Sequence, residues 1–590
     1  MKIYVKHKNL IFCIGIFCGF LGIFEFIYKQ YVNKTNLMLQ KLKINLSTFD
    51  YRLLRYQQYE SLEMNRRGAG ENGQAVNLTY KEKMNMKIEI LKIGYHNSVS
   101  KRISLHRSLP DFRSDECKSK NYPQNLPTAS VIITFYNELW PTLLRTIHSV
   151  VNRSPPQHLR EIILVDDFSL QEVMQVNITN YIQNEWPDGI VKVFRSEKRN
   201  GALKSKLTGA KLAIGNVIIF LDSHVEVTKG WLEPILDRLS HNYQSFVIPV
   251  VMEIDVETFA FKNRHKLDRF GSFWWNMDFG WDEMPKHFQK ERRTSSDPIK
   301  TGTLPIGIFA ANRINFFNMG SFDTELIWYG SENLELSFRV WMCGGMLEIL
   351  PCSCIGHIAH YRSSIVRKSN KDYHGLNSKR MVDVWLDDYK RLFYLYRPEL
   401  REANAGNISS RIKLRNSLQC KSFDWFVKNV VPEKFIPDRN ILGYGYVKNS
   451  KSNLCLDLLV QNEFDRGNLH TGVYSCQNGA SSAQIFSLSP VKYSISDNND
   501  IKANNPCQIR REWGCLTATK NNGKVDFITC VTELIETQLW IYNKENGSLM
   551  NLKFKQCLDA SNLKNMDRVT IQPCESSNPY QEWESQFGPQ

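Results

Sequence analysis

The sequence predicts an α/β domain on a mostly parallel sheet, then an all-β module with a threefold internal repeat, both behind an N-terminal transmembrane helix. Three observations predict it. From about residue 128 four short β-branched runs, "SVIITFYN", "EIILVDDFS", "VKVFRS" and "VIIFLDSH", alternate with helical stretches. After about 440, three segments open on "CLD" or "CLT" and close on Gln-x-aromatic. Residues 10–24, "LIFCIGIFCGFLGIF", carry no charge. Strand–helix alternation is the pattern of a sheet covered on both faces, and a period of roughly 40 to 60 residues marks stacked units around a shared core.

The apolar N-terminal run continues past Glu25 to residue 28, and 10–28 is just long enough to span a bilayer. Lys2, Lys6 and Lys8 precede it and place the tail, 1–9, in the cytosol. A cleaved signal peptide would need a small-x-small site after the run, and none follows, so an uncleaved anchor is expected. Twelve of the 14 cysteines lie beyond this segment, with sequons at Asn33, Asn45, Asn77, Asn177, Asn407 and Asn546. Both features suit an oxidising lumen. The formal net charge of +15 is spread along the chain without a dense basic block, which argues against nucleic acid as a partner. Residues 29–104, polar and rich in Lys and Asn, read as a stem.

In the α/β region the helical stretch "ALKSKLTGAKLAIG" is expected to end on Gly215 as a C-cap. Thr134, Asp166, Asp167, Asp222 and His224 fall at carboxyl ends of expected strands, where open α/β sheets bind ligands. Asp222 and His224 stand at i and i+2, so both face one point beyond the sheet. No Gly-x-Gly-x-x-Gly or phosphate loop is present to cradle a diphosphate. A metal can serve instead: one carboxylate with imidazoles is a mixed oxygen/nitrogen set that suits Mn²⁺, and His357 in "CIGHIAH" is the candidate third ligand. In the tail, Cys455, Cys515 and Cys557 open the repeats, with Cys476, Cys530 and Cys574 as candidate partners.

The motifs "LPTASVIITFYNELWPTLLRTIHSVVNRSP", "EIILVDDFS", "FLDSH", "GWLEP", "SENLELSFRVWMCGG" and "PCSCIGH", in this order, resemble the polypeptide N-acetylgalactosaminyltransferases, and the tail resembles their ricin-type lectin domain. The resemblance covers about residues 105–590. It implies a glycosyltransferase-A catalytic domain at 105–425, a linker at 426–440 and a ricin-type β-trefoil at 441–588. It further implies a Golgi type II membrane enzyme that transfers GalNAc from UDP-GalNAc to Ser or Thr of protein or glycopeptide acceptors, with retention and with Mn²⁺, and without an enzymic nucleophile.

Carried over by position, the resemblance implies nucleotide contacts at Thr134, Asp167 and Arg199, a donor contact at Ser223, metal ligands at Asp222, His224 and His357, and sugar-proximal catalytic residues Glu332 and Asn333. Tyr329 stands where the family has a tryptophan, Ser331 where it has glycine, and Pro305 and Ile306 lie where it has Ala-Gly. His360 takes the place of an arginine in the loop after His357, and Ser363, Ser364 and Ile365 replace His-Pro-Tyr. These departures carry two alternative expectations: a luminal binding homologue that has lost the chemistry, or a transferase of another UDP-sugar. In the lectin repeats Asp457 and Asp559 retain the sugar-binding aspartate, weak GalNAc binding being expected there. The second repeat has Thr517 instead, and Ala483 replaces the Asn before the first repeat's Gln. The resemblance also implies the disulfides Cys117–Cys352 and Cys343–Cys420 beside Cys455–Cys476, Cys515–Cys530 and Cys557–Cys574, and Cys354 and Cys507, which remain, are expected to be free or weakly paired.

Overall fold

A computed structural model describes residues 48–585, apart from 64, 171–176, 264–266, 268, 306, 359–371, 460–468, 478–481, 492–505, 521–522 and 532–534. The apolar segment 10–28 lies outside the described residues. Among those described, no helix is long and apolar enough to cross a membrane.

Among the described residues the first domain carries twelve strands: β1 (Ala129–Phe135), β2 (Leu159–Asp166), β3 (Val191–Arg195), β4 (Val217–Asp222), β5 (Val225–Val227), β6 (Ser245–Ile254), β7 (Phe261–Lys262), β8 (Arg269–Phe273), β9 (Phe279–Glu283), β10 (Ile299–Lys300), β11 (Phe309–Asn312) and β12 (Met346–Ile358). The main sheet runs β10-β12-β6-β11-β4-β1-β2-β3, with β8 and β9 as a separate hairpin. The pairs β3-β2, β2-β1, β1-β4 and β6-β12 are parallel. The expected mostly parallel sheet is therefore mixed, because β11 runs antiparallel between β4 and β6. At four residues, β11 is too short to show an alternation from which its direction could be read.

Side chains two apart share a face of a strand, and each run divides its residues accordingly. Val131, Ile133, Ile162, Leu164, Ile219 and Leu221 pack with Leu143, Leu144, Ile147 and Val150 of the Trp140–Asn152 helix. Ile132, Ile163, Val165, Ile218 and Phe220 face the Ala202–Leu212 helix through Leu203, Leu207 and Ala210. That helix ends at Leu212, not at Gly215 as expected. Gly215 serves a close approach: a Cβ there would meet the Ser130 nitrogen at 2.6 Å.

The region expected as a stem is folded onto this domain from residue 48 onward. Helix Thr48–Glu63 is tied to it by Arg55–Glu185 (2.6 Å) and Arg153–Glu63 (2.9 Å), with Tyr59 buried between. Further on, Arg107 forks onto Glu226 of β5 (2.7 and 2.8 Å), which also accepts from Arg145 (3.0 Å), all three fully buried. Burial works against ionised Glu226, but Arg107 and Arg145 hold its carboxyl below the usual range. The triad pins β5 and hence the chain that follows Asp222. Polarity of composition misleads here because the attachment is made by charged side chains.

The second domain is a trefoil core in which Phe486, Trp540 and Trp583, the aromatics that close the three repeats, are buried together. Trp540 and Trp583 donate their indole N–H to Leu516 and Leu558 carbonyls (3.1 and 2.9 Å), tying each repeat's close to its opening strand. The five disulfides implied by the resemblance are those of the structure, and Cys354 and Cys507 are free and buried.

Candidate active site

Strand register assembles the crevice. Thr134 pairs with Asp222 across β1 and β4, and Phe135 with Asp166 across β1 and β2, so the carboxyl ends of three strands are level. After Asp222 the chain turns through Ser223 and His224 into β5, which pairs antiparallel with β12 and sets Val225 opposite His357. Residues far apart in sequence thereby meet: one ligand atom from each of Asp222, His224 and His357 lies within 4.8 Å of the others, with Asp222 Oδ2 3.4 Å from His357 Nε2.

A fourth residue, missed by the sequence reading, orients His224. Glu138 Oε2 accepts from Ser223 Oγ (2.6 Å) and stands 2.9 Å from His224 Nδ1. Its Oε1 accepts from Tyr95 OH (2.7 Å) and from the Leu139 N–H (3.0 Å). The carboxylate fixes His224 as the Nδ1–H tautomer, which makes Nε2 the ring nitrogen with a lone pair for a metal, the usual arrangement of a metal-binding histidine. Burial alone would raise the Asp222 pKa, but Lys206, His357 and His224 hold it well below the carboxylate range. Asp222 is thus an anion ready to ligate. One such carboxylate and two imidazoles, one of them oriented by a carboxylate, fit a borderline divalent cation such as Mn²⁺.

Lys206 also went unread. Its Nζ lies 3.5 Å from Asp222 Oδ1 and donates to the Gly307 carbonyl at 2.9 Å. Lys206, Gly307, Trp328, Glu332 and Asn333 line one cavity, so the cation joins the Asp222 cluster to it. Its signal was available: Lys206 sits on the helix that begins directly after Arg199-Asn-Gly.

Asp167 accepts from the backbone N–H of Asn200 (2.8 Å) and Gly201 (2.9 Å) and pairs with Arg199. Gly201 has φ +89°, which a side chain would resist. The Arg199 guanidinium lies 3.5 Å over the Tyr136 ring and 5.7 Å from Trp328. Two cations, Arg199 and Lys206, therefore flank the crevice without a phosphate loop.

Glu332 starts helix Glu332–Met342 and accepts from the Gly330 N–H (2.8 Å), while Asn333 donates to the Leu304 carbonyl (2.9 Å). Ser331 has φ +66°, the left-handed region that explains a family glycine. Its side chain is buried and its hydroxyl meets Ser378 Oγ at 2.7 Å, so it does not enter the cavity. Tyr329 is half exposed and outside the cavity lining, where Trp328, one residue earlier, supplies the aromatic wall. Ser223, expected to contact donor, spends its hydroxyl proton on Glu138. Ile306, His360, Ser363, Ser364 and Ile365 lie outside the described residues.

In the trefoil, Asp559 Oδ2 accepts from Gln581 Nε2 (2.9 Å) and Asn578 Nδ2 (3.1 Å). Asp457 accepts from Gln484 at 3.0 Å with no asparagine at the position of Ala483, and in the second repeat Gln538 donates to Thr517 Oγ1 at 3.2 Å.

A mixed α/β sheet with an Asp-His-His crevice and flanking cations, joined to a trefoil, defines a glycosyltransferase bearing a lectin-type module. Residues 130–313 match the glycosyl transferase family 2 model, and 443–583 match the ricin-type beta-trefoil lectin domain. The probable N-acetylgalactosaminyltransferase 9 of Caenorhabditis elegans is 39% identical over 524 residues, 88% of this chain and 86% of the relative. Human polypeptide N-acetylgalactosaminyltransferase 13 is 36% identical over 88% of this chain and 90% of its own length. A solved structure of GalNAc-T7 with UDP, GalNAc and Mn2+ matches with a TM-score of 0.68 at 31% identity, covering 88% of this chain and 92% of that one. The chain belongs to the polypeptide N-acetylgalactosaminyltransferase family.

Proposed function

We propose that the chain transfers GalNAc from UDP-GalNAc to Ser or Thr hydroxyls of proteins, with retention, as the initiating step of mucin-type O-glycosylation. The observation that carries this is the Asp222–His224–His357 cluster, its His224 oriented by Glu138, joined through Lys206 to a cavity lined by Glu332 and Asn333. These three ligands would hold Mn²⁺, whose chemistry is to offset the charge on a departing diphosphate. Arg199 and Lys206 add fixed positive charge along the same crevice, in keeping with charge stabilisation as the main task of the site.

Glu332 is committed to the Gly330 N–H and holds the loop that carries Trp328 against the cavity. This favours a positioning role over that of a nucleophile. The acceptor hydroxyl then attacks on the face from which UDP leaves and gives its proton to the departing phosphate. Ser331 is turned onto Ser378 and does not itself fill the cavity, which favours an active transferase over a binding homologue. We place the enzyme in the Golgi membrane, anchored by residues 10–28 with its domains in the lumen, on the strength of that apolar segment, the sequons and the disulfides.

The test is transfer from UDP-GalNAc, with Mn²⁺, to bare and pre-glycosylated Ser/Thr peptides by the full chain. Mass-shifted peptide is expected. Neither transfer nor donor hydrolysis on any peptide would overturn the reading, and transfer only from a different UDP-sugar would replace the donor.

A further inference from the structure

Helix Tyr80–Ile93 presents an apolar stripe to solvent. Tyr80, Met84, Ile88 and Leu91 are 81, 64, 66 and 68% exposed. At roughly 100° per residue these four fall within an arc of about 80°. Exposed Lys81 and Lys92 border the stripe on one side, and exposed Lys83 and Lys87 on the other. The helix's acids face elsewhere. Glu82 accepts from the Thr79 N–H (2.7 Å) and from Arg102 (2.9 Å), and Glu89 from Ser98 Oγ (2.5 Å). Met86, Ile90 and Ile93 are half-buried on the side turned toward the protein.

We propose that this helix lies on the bilayer surface, its apolar stripe seated at the boundary of headgroups and acyl chains and its lysines on lipid phosphates. The inference rests on the anchored reading of residues 10–28. An apolar stripe edged by basic side chains whose stems can lie along it is the arrangement of an interfacial helix. Four side chains offer on the order of 500 Å², short of the roughly 800 Å² per partner of a stable protein interface. Lysine on both borders, with no acid between, complements phosphate better than a second copy of the same basic face. Residues 29–47 tether the first described helix to the apolar segment, a reach of at most roughly 65 Å, so the body stays near the membrane. Contact through this helix would fix which way the body faces.

The test uses the full chain with Cys13→Ser and Cys18→Ser, inserted one copy per lipid nanodisc of phosphatidylcholine with or without phosphatidylserine. An environment-sensitive fluorophore is placed at Met84→Cys or, as a control on the trefoil surface, at Lys564→Cys; Cys354 and Cys507 are buried. Nitroxide-labelled lipid is expected to quench the Met84 label at least fivefold more than the Lys564 label. Adding Ile88→Glu should remove that difference while peptide glycosylation persists. Equal quenching at both positions in inserted chain overturns the contact alone, and failure of the chain to insert overturns the anchor and the contact together. Quenching of the Met84 label by labelled protein only, in discs holding two copies, would assign the stripe to a second copy and also overturn the proposal.

Discussion

The crevice and the trefoil treat their polar groups in opposite ways. In the crevice three of the side chains singled out have a partner from another element: His224 has Glu138, Asp222 has Lys206, Asp167 has two backbone N–H groups. In the trefoil one frame is repeated three times, and the frame survives changes at the ligand position. Gln484, Gln538 and Gln581 are all buried and donate to Asp457, Thr517 and Asp559 respectively. Thr517 in the second repeat leaves its glutamine satisfied by a hydroxyl, so the fold tolerates the change. A catalytic site built from long-range partners has less room for such erosion.

The sharpest way to break this comparison is at Asp222. Asp222→Asn keeps shape but removes the charge, and loss of at least about 10³-fold in transfer is expected, with His357→Ala similar, since a divalent cation loses its anionic or a neutral ligand. Mn²⁺-dependent UDP binding, with circular dichroism to show that both variants are folded, checks it. Unchanged binding would return Asp222 to an ordinary strand end. Next in size is Glu138→Gln, which leaves all three ligands in place but no longer fixes the His224 ring as a carboxylate does. A 10- to 100-fold loss of metal affinity is the usual scale for such a partner, read by Mn²⁺ titration of activity.

In the trefoil the expected effects are smaller and unequal. Among the described residues, only Asp559 has both a glutamine and an asparagine on its carboxylate. Asp559→Ala should therefore reduce retention on immobilised GalNAc about tenfold, Asp457→Ala less, and Thr517→Ala not at all. Equal losses in all three would mean that the repeats are not differentiated as their hydrogen bonds indicate.

The smallest expected effect lies where the two regions meet. Glu512, on a trefoil turn, accepts from the Trp275 N–H of the first domain at 2.9 Å and lies 3.7 Å from Lys434 Nζ. Burial pushes its carboxyl up to about 7, against the pull of Lys434 and Arg511. Because the folded pKa is raised above the unfolded one, the folded state binds more protons. The associated stability is full below the unfolded value, near about 4.3, and is lost as pH rises through about 7. Thermal unfolding followed between pH 5.5 and 7.5 should show a decline of about 1–2 kcal/mol that Glu512→Gln abolishes. An identical pH profile for the two proteins would detach the junction from Glu512.

The sequence by itself determined what depends on local pattern. The four β-branched runs between helical stretches gave the α/β domain, the repeated Cys-Leu and Gln-x-aromatic marks gave the threefold module, and the position of Asp222 at a strand's carboxyl end placed it at the crevice. His224, by contrast, reaches the same point through a turn at Ser223 and His224 rather than along an extended strand. Only the tertiary structure decided the rest. The direction of β11 depends on its neighbours, since four residues carry no orientation of their own. The attachment of residues 48–107 rests on buried Arg–Glu pairs whose members read as solvent-exposed charge in a linear chain. The places of Glu138 and Lys206 follow from strand register and helix packing, which bring carboxylate to imidazole and ammonium to carboxylate across stretches of chain that no spacing rule connects. Trp328 rather than Tyr329 faces the cavity because left-handed turns at Trp328 and Ser331 rotate the chain there, and a rotation of that kind is set by the packing around it.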